Sequence, residues 1–191
     1  MEAPMLGYVM QRKCEMKEIK HVILNPQGLE VDGIMLSRQS LSGIYKEFIG
    51  DYPKFFKMDN LCKLGFLAAE FAFKNLDLKD RENTAIILFN RNGSLITDRN
   101  YQSTLKEDNY FPSPALFVYT LANIVTGEIA IRNKIYGETS FYILPAKDDQ
   151  VMGKMVESVF TTSNPSFILY GWVDYENEKT YLADLKLITK S

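Results

Sequence analysis

Apolar and polar positions fall into blocks whose period changes along the chain, and those periods predict the elements. The clearest block runs from about Asn60 to Asn75. Leu61, Leu64, Ala68, Phe71 and Ala72 recur at helical spacing on one face. Asp59 stands where a short carboxylate accepts from the free N–H groups of a first turn, and Ala68-Ala69 lets that face pack closely. Thr84 to Phe89 follows, apolar without alternation, the pattern of a strand covered on both faces. Ser113-Pro114, a serine cap before a proline at the first helical position, opens a predicted helix reaching about Asn133. Leu116, Phe117, Val118, Leu121, Ile124, Val125, Ile129 and Ala130 make it apolar nearly all round, which predicts a buried central position or a subunit interface.

The remaining blocks are shorter. Tyr8 to Met10, His21 to Leu24 and Leu29 to Leu36 read as strands, with a turn at Pro26-Gln27-Gly28. Leu41 to Ile49 reads as a helix broken by Asp51-Tyr52-Pro53. Asn90 to Arg99 is a polar loop, Tyr101 to Leu105 a short helix and Asn109 to Pro112 irregular. Ser140 to Leu144 is a strand and Asp148 to Phe160 a helix. Ser166 to Val173 and Thr180 to Ile188 make a hairpin across the polar turn at Tyr175-Glu176-Asn177-Glu178. The order predicts one α/β domain over residues 1–191, a mixed sheet with helices on its faces and a C-terminal hairpin.

Composition narrows the function classes. With 22 Lys and Arg against 24 Asp and Glu, and no basic run, nucleic acid is a poor partner. Cys14 and Cys62 are far apart and His21 is the only histidine, which argues against a zinc site. Asp148-Asp149 and the group Asp174, Glu176, Glu178 are loop acids of the solvated kind, so no metal and no cofactor is expected. No stretch reaches the roughly eighteen apolar residues of a membrane span. The start carries no apolar leader segment, and a cytoplasmic setting is the expectation.

The segment from Ser113 to Ile131, with Thr120, Asn123 and Gly127 in order, resembles the β-ketoacyl synthase family, in which such a helix leads through a Gly-containing turn to the strand before the catalytic cysteine. Ile135-Tyr136-Gly137 is similar to that turn. Tyr45 to Ala72 resembles the family's first long helix region, and Gly93-Ser94-Leu95 with Asp98 the loop after the next strand. The likeness is clearest over residues 45–172, and Ala122 departs from it, standing where many members carry proline. The resemblance implies a thiolase-like fold. A full synthase holds two such halves about a pseudo-twofold axis, and this chain has room for the first.

The family's spacing puts its nucleophile near Ala146; Leu144, Pro145, Lys147 and Asp148 around it include no cysteine. A condensing enzyme holds its acyl chain as a thioester, which alanine cannot form. The family's two catalytic histidines belong to the second half. The resemblance therefore implies a chain without condensing activity. Ser140 and Tyr142 lie nearby without a base in sequence, and Cys62 and His21 read as packed residues. Asn90-Arg91-Asn92-Gly93-Ser94 reads as a solvated turn rather than a phosphate loop.

What remains is assembly. The family uses this region beside its dimer axis, so the resemblance makes Thr120, Asn123, Val125, Glu128 and Ile129 interface candidates, with Ser140, Phe141, Tyr142, Ile143 and Leu144 on a strand that pairs edge to edge. A lone half would also expose the apolar face its second half covers. The role expected resembles that of the chain-length-factor partners of polyketide and aryl-polyene systems, in a homodimer or beside an active synthase of fatty acid, polyketide or aryl-polyene biosynthesis. A second reading is a binding module for acyl chains or an acyl carrier protein, with 12 Phe and 11 Tyr to line a cavity. A third, an enzyme of another kind on the same half-fold, would need a cleft of polar groups that the sequence does not name.

Overall fold

The computed structural model describes residues 15–105 and 112–190. The expected strand Tyr8–Met10, Cys14 and most of the irregular segment from Asn109 lie outside them. The chain opens with an antiparallel meander, β1 (Met16–Asn25), β2 (Gly28–Val31) and β3 (Ile34–Ser37). The single strand expected over Leu29 to Leu36 is two strands. Asp32 and Gly33 both take positive φ, 51° and 79°, the two-residue hairpin turn for which Asp-Gly is the standing signal. Helix α1 (Leu41–Phe48) is capped by Ser40, whose hydroxyl accepts from Gly43 N at 3.3 Å. A 3-10 helix at Pro53–Lys57 follows.

Helix α2 (Asn60–Ala72) forms as its periodicity predicts, capped by Asp59 Oδ1 on Cys62 N at 2.8 Å. It is the centre of the larger core, and nearly every residue in it is buried. Helix α3 (Leu78–Glu82) leads into β4 (Thr84–Asn90), buried along its whole length. Helix α4 (Leu95–Gln102) begins inside the predicted polar loop and ends two residues into the short helix expected over Tyr101 to Leu105, whose remainder is turn.

The long helix expected from Ser113 to Asn133 is two helices, α5 (Pro114–Val118) and α6 (Ile124–Asn133), joined by a turn at Tyr119 to Asn123. The break has a local cause. Thr120 Oγ1 donates to Phe117 O at 2.7 Å, and Ser94 Oγ donates to Thr120 O. Side-chain hydroxyls thus take carbonyls from the helical ladder, the competition that makes Ser and Thr poor helix-interior residues. The break also changes burial. Val125 and Ile129 of α6 are fully buried, while Phe117 and Leu121 are each 52% exposed.

Strand β5 (Thr139–Ile143), helix α7 (Asp149–Thr162) and the hairpin β6 (Phe167–Asn177) and β7 (Thr180–Lys190) complete the chain. The sheet has seven strands in the order β3-β2-β1-β7-β6-β4-β5. Strand β4 runs parallel to β5 and β6, and the other neighbours are antiparallel. One face packs on α2 and α6, with Leu64, Phe66, Leu88, Val125, Ile129 and Leu185 in that core. The other packs on α7 through Phe89, Met152, Val156, Phe160 and Trp172. Beside α7 the sheet surface is polar. Glu18 pairs with Lys186 at 2.9 Å, and His21, Asp184 and Lys147 cluster. The apolar exposure expected of a lone half is therefore not found on this side. Among the described residues no helix is long and apolar enough to cross a membrane.

Candidate functional site

Most of the sequence-derived candidates fall in two places, the loop after β5 and the crevice beside it. Strand β5 ends by bonding Leu144 N to Asn90 O at 2.8 Å, and the loop then crosses toward α7. Ala146 is exposed there. The N-terminus of α7, where free N–H groups and the helix dipole favour an anion, is filled by the chain itself. Asp148 Oδ1 accepts from Gln150 N and Val151 N at 2.9 and 3.0 Å. A fixed carboxylate at this point opposes any thiolate or oxyanion beside it.

The nearby polar groups are paired among themselves. His21 Nε2 lies 2.7 Å from Asp184 Oδ1, and Lys147 Nζ donates to Asp184 Oδ2. Burial raises the Asp184 carboxyl, but the hydrogen bonds from Lys147 and His21 outweigh it and hold the group below the usual carboxylate range. Ser140 Oγ donates to the Glu138 carboxylate at a long 3.4 Å, and Tyr142 stacks on Phe89 at 5.5 Å. Cys62 lies in the core on the opposite face of the sheet, where burial pushes its thiol well up.

The crevice arises from topology. The connection from β4 to β5 runs over the face of α6, and the connection from β5 to β6 returns over the face of α7. Where two neighbouring parallel strands send their chains to opposite faces, their carboxyl ends part and leave an opening. Here it is a shallow groove of about 440 Å³ lined by Ser94, Leu95, Thr120, Leu121, Asn123, Phe141 and Ile143. Ile143 is 61% exposed. Strand β5 is the edge of the sheet, so its outer hydrogen-bonding groups meet no strand among the described residues.

The loop Asn90 to Ser94 is shaped by its own bonds. Asn90 Nδ2 donates to Gly93 O at 2.9 Å, and Gly93 N donates to Asn90 Oδ1 at 3.0 Å. Asn92 donates twice to Asp174, which gives that acid a structural partner. Among the described residues no group of three or more His, Cys, Asp or Glu is placed to hold a metal ion.

Of the sequence-derived interface candidates, Thr120, Asn123, Phe141 and Ile143 meet in the crevice. Val125 and Ile129 are core residues with no exposed surface. Ser140 and Tyr142 lie on β5 and Leu144 just past its end, and both Tyr142 and Leu144 pack against the α7-side core. Glu128 is buried, bonded by Tyr119 OH at 3.2 Å and paired with Lys54 at 2.7 Å. Sequence reading missed Leu95 as part of the crevice, although its apolar side chain just after the Gly93 turn was a usable signal. It also missed Asp148 as a cap, although a short acid directly before a helix is the cap signal itself.

No protein-family profile and no curated protein matches the chain. Solved structures do match in fold. A ketosynthase in complex with its chain length factor from Xenorhabdus doucetiae superposes with TM-score 0.64 at 13% identity, over 95% of this chain and 80% of that one. The ishigamide ketosynthase/chain length factor gives 0.68 at 14% identity, over 92% and 62%. A ketosynthase of the bacillaene polyketide synthase of Bacillus amyloliquefaciens gives 0.53 at 12% identity, over 92% and 41%. The chain thus spans less than two thirds of the last two. Its mixed sheet with helices on both faces is the thiolase-like fold of these ketosynthase structures.

Proposed function

We propose that this chain is a non-catalytic, ketosynthase-like subunit that acts by docking its β5 edge against an active ketosynthase chain, and that it corresponds to one half of a thiolase-like pair. What supports the reading is the loop after β5: the resemblance would put a nucleophile near Ala146, and Asp148 there caps the helix N-terminus. Condensation needs a thiolate there and donors for an oxyanion, and this loop offers neither. The partner is argued from the fold neighbours, two of which are ketosynthases described with a chain length factor. The open edge and the exposed Leu121 and Ile143 beside it supply a surface for strand pairing and apolar burial. The alternative of a module holding an acyl chain is less favoured, because the core beneath α7 is filled by Phe89, Met152, Phe160 and Trp172.

The test is co-expression with an active ketosynthase, followed by sizing with light scattering. A one-to-one complex that Ile143→Lys abolishes, with that variant still folded, is the expected result. A self-associated homodimer broken by the same change would move the occupant of the edge to a second copy. A monomer indifferent to every ketosynthase tried would overturn the reading. The chain alone, given acyl- and malonyl-thioesters, should form no condensed product.

A further inference from the structure

Glu128 is a carboxylate inside the protein, only 4% exposed. A buried charge is tolerated only when paired and bonded; here one oxygen is hydrogen-bonded, and the other has an ion-pair partner but no well-formed hydrogen bond. Oε1 accepts from Tyr119 OH at 3.2 Å. Oε2 meets Lys54 Nζ at 2.7 Å, an ammonium on the 3-10 helix with its other side toward water. Burial beside this carboxylate raises the Tyr119 phenol, and Glu128 raises the Lys54 ammonium, so both remain donors at neutral pH.

Position gives the arrangement its meaning. Tyr119 is the residue that ends α5, and Glu128 sits in the second turn of α6. Their bond therefore spans the turn between, as a bracket spans a gap. The backbone bonds inside that turn are few: Thr120 N to Phe117 O at 3.1 Å, Leu121 N to Val118 O at 3.4 Å and Ile124 N to Leu121 O at 3.0 Å. Leu121 is half exposed, so burial does not hold it. Side chains add three more tethers: Ser94 on the Thr120 carbonyl, Thr120 Oγ1 on the Phe117 carbonyl and Thr126 Oγ1 on the Asn123 carbonyl. An aliphatic residue at 128 would fill the same core space, but it could not reach Tyr119 and Lys54 at once.

We propose that Glu128 is a positioning residue: through Tyr119 and Lys54 it fixes the pose of the turn at residues 119–123, and thereby sets the affinity of the surface formed by Thr120, Leu121 and Asn123 for its protein partner. The second part rests on the reading of the crevice as a docking surface for a ketosynthase chain.

The experiment separates the two. Amide hydrogen exchange on the isolated chain reads the turn directly. Tyr119→Phe removes one hydroxyl and keeps the ring. Exchange at Thr120, Leu121 and Ile124 should speed up about fivefold, the worth of one ordinary hydrogen bond, with amides of β4 unchanged. The Kd for the ketosynthase that co-elutes with the parent should weaken by about the same factor. Unchanged exchange at the turn overturns the proposal. Faster exchange with an unchanged Kd supports the bracket but overturns its link to docking, and takes the turn out of the docking surface. Should Tyr119→Phe fail to fold, Glu128→Gln decides. Its amide oxygen still accepts from Tyr119 but it loses the charge that pairs with Lys54, so exchange at the turn should rise by less than it does in Glu128→Leu. Equal acceleration by Gln and Leu overturns the proposal.

Discussion

Gly65 sits where α2 crosses α6, and a Cβ built there would overlap Val125 Cγ2. The clash is with a fully buried, β-branched side chain that has no room to turn. Gly65→Ala should therefore destabilise the protein by about 1–3 kcal/mol, read as a lower urea midpoint, even though alanine is the better helix former. Asp184 makes a second residue-scale case. Its folded pKa lies below the ordinary 3.8, so it adds stability that is fully present above that value and is lost as pH falls below it. Asp184→Asn should cost about 1 kcal/mol at pH 7, and the gap to the parent should close in melts taken below pH 3.8. At this scale much was legible in the sequence: Asp59 caps α2 as its position predicts. The pairing of His21 with Asp184 was not, because it joins two strands distant in sequence and no local period records it.

The N-terminus of α7 is the element whose chemistry is most altered by one side chain. A cysteine placed at Ala146 would stand before a helix start, which ordinarily lowers a thiol's pKa, but Asp148 already occupies the N–H groups of that turn. The thiol of Ala146→Cys should thus alkylate with a pH midpoint near or above the free value of about 8.5, and adding Asp148→Ala should shift that midpoint down. The inverse lesson comes from the segment of residues 113–133. Its apolar positions fit a single helix so well that a break was not expected, yet hydroxyls from Thr120 and Ser94 end α5. Ser94 acts from another element, so the cause of the break lies outside the segment that breaks. Asp32-Gly33 differs, since that hairpin signal was present locally and outweighs the apolar run around it.

For the whole molecule, the order of strands matters more than any single contact. The C-terminal hairpin and the mixed sheet were legible, because each strand carried its own pattern. The neighbour relations were not, for periodicity does not say which strands lie side by side. One of those relations sets a kinetic condition. Strand β1 is held laterally by β2 and by β7, with Met16 opposite Lys190 and Leu24 opposite Ala183. Among the described residues, β1 is thus joined to the parallel part of the sheet only through β7. Until β7 has formed, the meander and the β6-β4-β5 unit share no strand pairing, and α2 has only part of the surface it covers in the native state. Such long-range closure is slow, and β1 lacks its β7 neighbour until the chain is made as far as β7. Pulse-labelled exchange during refolding should accordingly protect β4 and β6 before β1.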